Sequence, residues 1–68
     1  MYAVSVLYLK KALMFAWILN DPSAETYYYE KLGIDFFNIG DITKSSRYQN
    51  RGFYNVLESC TTLNYRFA

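Results

Sequence analysis

The chain has 68 residues, of which 53% are hydrophobic and 21% aromatic, and its formal net charge is +1. So apolar a composition excludes a disordered chain, and seven basic residues without a large cluster do not form a nucleic-acid-binding face. The single cysteine excludes an internal disulfide, and without histidine there is no recognisable zinc site. A domain of this size has a small core, so the aromatic excess predicts apolar contacts with other chains.

The first predicted helix runs from about Tyr2 to Leu19 and contains neither glycine nor proline. Its uninterrupted apolar run, Ala12 to Leu19, is too short to span a membrane, because a transmembrane helix needs about 20 predominantly apolar residues. Lys10 and Lys11 precede this run, whereas a signal peptide carries its charge first. We therefore expect an amphipathic or all-round apolar helix that packs against protein.

The second predicted helix begins after a short polar break. Asp21 suits the N-cap position and Pro22 suits the first helical position. The helix is expected to continue to about Ile39 and to stop at Gly40, because glycine tolerates the left-handed conformation that follows a helix.

A strand is the alternative for this segment, since β-favouring residues occur at Tyr27–Tyr29 and at Ile34–Phe37. The apolar residues do not alternate, however. They follow the spacing i, i+3, i+4 and i+7 of one helical face instead, at Tyr29, Leu32, Gly33 and Phe36. This periodicity favours the helix.

The third predicted helix runs from Ile42 to about Leu57, with Asp41 as its cap. Two helices joined only by Gly40 and Asp41 must form an antiparallel hairpin. Small residues then belong where the helices come closest, and these are Gly33, Ser45 and Gly52. The surrounding space would be filled by the rings of Tyr29, Phe36 and Tyr48. Residues 59–68 have no clear period, and a helix extension, a strand added to a neighbour and an ordered tail all stay open.

This pattern resembles a tetratricopeptide repeat (TPR). The motif of that family reads aromatic-x-x-Leu-Gly-x-x-aromatic, as in the segment from Tyr29 to Phe36. Further matches are the Gly-Asp turn and two small residues and one aromatic residue of the third helix, at Ser45, Gly52 and Tyr48. The resemblance covers about Thr26–Phe53.

The chain departs from the family pattern at three points. Serine and glycine replace the usual alanines, Gln49 occupies a position where an aromatic residue is common, and no proline follows near Leu57. The segment Tyr8–Leu13 resembles the end of a preceding second helix. Its distance from Leu32 is similar to that in the longer repeats of the kinesin light-chain type.

The resemblance implies an all-α fragment of an α-solenoid. Residues 1–20 would be a helix, the second of a preceding repeat, residues 21–58 the helix-turn-helix hairpin and residues 59–68 a tail. It also implies a non-catalytic scaffold that binds other proteins within a larger cytoplasmic assembly, with a cytoskeletal or ciliary axoneme as the setting. Fewer than three repeats leave helix faces open, and neighbouring chains would cover them.

No chemistry of catalysis is predicted. Cys60 has no evident activating residue, and Glu25 and Glu30 are five residues apart, so they do not share a helical face. We expect no enzyme activity, no cofactor, no metal and no small-molecule substrate.

Two groups of residues are candidates for binding a partner protein. Tyr27 and Tyr28 would contact neighbouring repeats or partners, while Tyr29 belongs to the core. A basic stripe on the third helix would bind an acidic partner segment or else be a solvated face; it consists of Lys44, Arg47 and Arg51. The alternative function is a small accessory subunit of a membrane protein complex, with Ala12–Leu19 touching lipid or a transmembrane neighbour.

Overall fold

The computed structural model describes the backbone of residues 2–67 and the side chains of residues 2–58. Three helices follow one another in this part of the chain, α1 (Tyr2–Ile18), α2 (Pro22–Ile39) and α3 (Ile42–Phe67). The described residues include no strand, so the predicted all-α fold class is confirmed.

The expected end of the third helix is wrong. It was placed near Leu57, but α3 continues to Phe67. No glycine or proline follows Gly52, so this part of the sequence lacks the residues that stop a helix. Of the three alternatives for the C-terminal segment, the backbone thus follows the first, because it continues as a helix through Phe67. Ala68 and the side chains of residues 59–68 lie outside the described residues.

The turn between α2 and α3 contains a glycine that ends one helix and an aspartate that begins the next. Gly40 has φ 97°, in the left-handed region, and its N–H donates to the carbonyls of Phe36 and Phe37 at 3.1 and 3.0 Å. The N–H of Asp41 also donates to the Phe36 carbonyl, at 2.9 Å. Asp41 Oδ1 then accepts from the N–H of Lys44 at 3.1 Å. These bonds satisfy groups that a helix end otherwise leaves unpaired.

The turn between α1 and α2 repeats this arrangement with asparagine in place of glycine. Asn20 has φ 54°, a conformation that asparagine tolerates better than most residues. The N–H of Asp21 donates to the Ala16 carbonyl at 2.9 Å, and Asp21 Oδ1 accepts from the N–H of Ala24 at 3.2 Å. Pro22 is the first residue of α2. The sequence reading placed a cap at Asp21 but did not recognise the left-handed Asn20.

α2 is the central helix. α1 and α3 both pack against α2, and neither contacts the other within the described residues. The chain measures 45 × 23 × 12 Å, and its smallest dimension is that of a single helix with side chains. The core therefore lies between neighbouring helices of one layer. It contains four buried residues with three partly buried ones against them, namely Val6, Leu9, Leu32 and Phe36 with Leu13, Tyr28 and Tyr48.

Candidate protein-binding surfaces

The closest approach of α2 and α3 lies at Gly33. Ser45 Oγ donates a buried hydrogen bond of 2.7 Å to the Gly33 carbonyl, and Gln49 Nε2 donates to Ser45 Oγ at 3.2 Å. A Cβ atom added at Gly33 would lie 2.7 Å from Gln49 Cγ and 3.4 Å from the Ser45 carbonyl oxygen. A side chain at this position would thus displace its neighbours.

Gly52 is the second small residue of α3 that faces α2. A Cβ atom added there would be 3.4 Å from Tyr29 Cβ and 3.8 Å from the Thr26 carbonyl oxygen, which are ordinary contact distances. The structure places all three predicted small residues in the α2–α3 contact, but only Gly33 meets a neighbour too close for a methyl group.

The predicted aromatic residues form a row between α2 and α3. The Tyr48 ring lies 6.3 Å from the Tyr29 ring and 5.5 Å from the Phe36 ring, nearly parallel to the latter. The ammonium groups of Lys10 and Lys44 lie 5.9 and 5.4 Å from the centre of the Phe36 ring, within the range of cation–π attraction. Phe36 is 7% exposed, so this group of rings holds the chain together and offers little surface to a partner.

Of the three residues in the basic stripe, only Lys44 makes an ion pair or a cation–π contact with other described residues. The Lys44 ammonium lies over the Phe36 ring. Lys44 Nζ is also 3.9 Å from Oδ2 of Asp41, which lies three residues earlier in the chain. Arg47 and Arg51 are exposed on α3. Tyr54 follows them at i+7 from Arg47, on the same helical face, and is exposed too. The surface left for an acidic segment thus consists of two arginines beside a tyrosine.

The three consecutive tyrosines of α2 have different surroundings. Tyr27 is exposed, with its ring 5.4 Å from that of Tyr28 and with the Lys31 ammonium over it at 5.4 Å. Tyr28 is partly buried and packs against the core of the chain, although it was expected to contact neighbouring repeats or a partner protein. Tyr29 is partly buried beside Tyr48. Tyr27 is therefore the one of the three most accessible to another chain.

An open groove of about 450 Å³ runs between α2 and α3. Its lining includes the apolar side chains of Ile34, Phe53 and Val56 together with Gly52. The polar residues of the lining are Thr26, Glu30 and Gln49. We refer to the surface that these residues line as the α2–α3 groove. The sequence reading did not predict it, although the spacing of Glu30 and Ile34 puts both on one face of α2.

A second surface missed by the sequence reading is the face of α1 that points away from α2. Five residues follow the 3, 4, 3, 4 spacing that is typical of a helix–helix seam, and all are exposed; we name them the α1 stripe, Val4, Leu7, Lys11, Met14 and Ile18. The buried residues of α1 lie on its other side, at Val6, Leu9 and Ala16. α1 thus carries two apolar faces, and only one of them is covered by the described residues.

Among the described residues, no group of three or more acidic, cysteine or histidine side chains could hold a metal ion. Within the same part of the chain, none of the helices has both the length and the apolar character needed to cross a bilayer. The side chain of Cys60 lies outside the described residues.

No known protein family, curated protein or solved structure matches this chain. The resemblance to tetratricopeptide repeats thus stays a prediction from the residues. The class that the structure defines is an all-α chain whose helices form one open layer.

Proposed function

We propose that the chain is a non-catalytic helical module that binds other protein chains within a larger assembly. The observation that carries this proposal is the exposure of large apolar side chains on all three helices of a layer one helix thick. Trp17 of α1, Phe37 of α2 and Phe53 of α3 are each more than half exposed. Apolar surface of this extent on a small chain is typical of a protein contact.

The form of the module resembles a tetratricopeptide-repeat hairpin preceded by half of another repeat, and so a fragment of an α-solenoid. The close contact of Gly33 with Ser45 and the placement of Gly52 support this part of the proposal, because the repeat uses small residues at these positions. The spacing like that of kinesin light chains supports a cytoplasmic setting, at the cytoskeleton or in a ciliary axoneme. Arg47 and Arg51 would face an acidic segment of the partner.

The second candidate is a small accessory subunit of a membrane protein complex. It is favoured by one observation, the exposed apolar residues at the end of α1 and directly after it, at Met14, Phe15, Trp17, Ile18 and Leu19. This end of the helix would touch lipid or a transmembrane neighbour rather than cross the bilayer. The proposal of a protein-binding module keeps priority because the exposed apolar residues extend over α2 and α3 as well.

The experiment that separates the two functions is extraction of the tagged full chain from cells that produce it. A module held by protein contacts should sediment in a complex and be released by high salt without detergent. A membrane accessory subunit should stay in the membrane fraction until detergent is added. A chain that is extracted as a monomer and forms no cross-link to any other protein would contradict both functions.

The contribution of the arginines is tested in the same cells. Arg47→Glu combined with Arg51→Glu should reduce cross-linking to the partner, because the charge that faces an acidic segment is reversed. Asn50→Glu is the control, since Asn50 is exposed on the same helix and also gains a negative charge. Unchanged cross-linking after the double reversal would show that the arginines form a solvated face, and a reduction no larger than that of Asn50→Glu would show that their charge is not specifically recognised.

A further inference from the structure

We propose that the α1 stripe of one copy binds the α2–α3 groove of a second copy, with Lys11 of one chain beside Glu30 of the other. This inference rests on the proposed function, since it names a second copy of the chain as a protein partner. The apolar side chains of both surfaces are exposed in the single chain, and none of them belongs to the core described above.

Charge is the first argument for this occupant. Lys11 is the one charged residue of an otherwise apolar stripe and stands at its centre. Glu30 is the one charged residue that lines the groove, where the other polar residues, Thr26 and Gln49, are neutral. Neither side chain has an ion-pair partner among the described residues. A single positive charge on the helix and a single negative charge on the groove match each other, and a wrong register would bury one of them unpaired.

Spacing is the second argument. Leu7 and Met14 lie one turn to either side of Lys11, and Ile34 lies one turn from Glu30, a distance of about 6 Å along a helix. When Lys11 is placed beside Glu30, an apolar residue of the stripe reaches the level of Ile34 whichever way the incoming helix runs. Gly52 lines the groove without a side chain of its own.

The same lysine disfavours the simplest alternative, a two-fold dimer in which the α1 stripes of two copies face each other. A two-fold contact is made by the same surface on both chains. Because Lys11 stands at the middle of the stripe, two overlapping stripes bring both Lys11 side chains within about one helical turn. Like charges at this spacing repel, whereas the groove offers a carboxylate.

The arrangement is head-to-tail, and this has a measurable consequence. Each copy has one stripe and one groove, so a single contact between two copies leaves one of each unoccupied. Such contacts continue into larger rings or open filaments, unless two copies bind each other reciprocally and close a two-fold dimer. In sedimentation of the purified full chain, a mass that rises with concentration beyond that of two copies indicates the open arrangement, and a mass that stops at two copies indicates the reciprocal dimer.

The test uses charge reversal in the purified full chain. Lys11→Glu and Glu30→Lys should each weaken self-association by about threefold to tenfold, because an attractive pair becomes a repulsive one. Lys31→Glu is the matched control, since it makes the same charge change on an exposed residue of α2 outside both surfaces. It should leave the self-association within about twofold of the unaltered chain. Circular dichroism of each variant checks that the helices are retained.

Rescue distinguishes a direct contact from a general effect of charge. A mixture of the two reversed chains restores opposite charges in both contacts, and so does the doubly reversed chain. Both should recover the association of the unaltered chain. A stripe-to-stripe dimer predicts a different result, in which the Lys11→Glu chain pairs best with the unaltered chain and Glu30→Lys has no effect.

A carbodiimide reagent locates the contact directly. It joins Lys11 Nζ to the Glu30 carboxyl carbon in an amide, and the water that is lost converts the carbodiimide to a urea. In a mixture of nitrogen-15-labelled and unlabelled copies, mass spectrometry should find this link between a labelled and an unlabelled chain.

Three outcomes would each overturn the proposal: a chain that stays monomeric, a charge reversal whose effect is no stronger than that of the control, or capture by neutral lipid vesicles without self-association. A monomer that still enters the native complex would leave the proposed function intact.

Discussion

The two sides of α2 are held in different ways. On the α1 side, Val6 and Leu9 pack against Leu32, and Ser5 Oγ donates to Asp35 Oδ2. On the α3 side, the Gly33 backbone lies against α3 and accepts a hydrogen bond from Ser45. The α1 contact depends on the burial of large apolar side chains. The α3 contact also includes packed rings, but its close approach at Gly33 requires that this position has no side chain.

This difference determines which substitutions each side tolerates. Loss of volume weakens a contact made by apolar side chains, because buried area and packing are lost together. Gain of volume weakens a contact made by close backbones, because the helices must separate. The α1 side should therefore be sensitive to truncation and the α3 side to enlargement.

The largest effect is expected for Leu32→Ala. Leu32 is fully buried beside the α1 residues, and such a truncation destabilises by about 2–5 kcal/mol. A core of this size rarely supplies more than about 3–5 kcal/mol, so most of the helical circular dichroism should be lost at room temperature. The measurement is made at low concentration, where self-association does not contribute.

The control for that variant is Leu7→Ala, which removes the same atoms from an exposed position. It should change the free energy of unfolding by no more than about 0.5 kcal/mol. Equal losses in the two variants would show that α1 does not pack on α2 through Leu32.

The second effect is expected on the other side of α2. Gly33→Leu should cost about 1–3 kcal/mol, because the side chain would have to fit between two helices in close contact. Gly33→Ala should be mild. Its methyl group displaces Gln49 Cγ, but Gln49 is exposed and can move, and alanine favours the helix by about 1 kcal/mol over glycine.

Denaturant unfolding gives the free energies of these variants. Gly33→Ala combined with Gln49→Ala should be more stable than Gly33→Ala alone, because the contact that the methyl group makes is removed. If leucine at position 33 were tolerated as well as alanine, Gly33 would lie on an open surface and the hairpin would have a different register.

The parts of this structure that the sequence predicts are those with short-range signals. Asp21, Gly40 and Asp41 define helix ends through their own backbone and side-chain chemistry, and the structure places them at those ends. The end of α3 carries no such signal, so the helix extension to Phe67 was only one of three alternatives that the sequence left open. The left-handed Asn20 was missed because asparagine is also common in ordinary turns.

The open surfaces were harder to predict because exposure depends on how the helices pack. The sequence of the first helix has apolar residues on most of its faces. The periodicity of these residues alone does not show which apolar face packs against α2. The α1 stripe becomes visible only once Val6 and Leu9 are placed against Leu32. The α2–α3 groove likewise combines residues of two helices, and Glu30 and Phe53 are far apart in sequence.

A smaller effect is expected for the polar contact on the α1 side. Ser5→Ala removes the hydroxyl that donates to Asp35 and should cost about 1 kcal/mol, the usual value of a hydrogen bond that is only partly buried. Asp35→Asn keeps an oxygen that can accept from Ser5 and should cost less. The two free energies come from denaturant unfolding. An equal loss in both variants would mean that the hydrogen bond depends on the charge of the carboxylate and that an amide oxygen does not replace it as the acceptor.

The smallest effect is expected at Gly52 and has the opposite sign. Gly52→Ala should stabilise the chain by about 0.5–1 kcal/mol, because alanine lowers the entropy of the unfolded chain and favours the helix. The added methyl group meets Tyr29 Cβ at 3.4 Å and the Thr26 carbonyl oxygen at 3.8 Å, so no neighbour has to move. The tetratricopeptide-repeat pattern, which usually has alanine at this position, leads to the same expectation. A loss of stability in denaturant unfolding would show that the helices are as close at Gly52 as they are at Gly33, and that both ends of the hairpin depend on glycine.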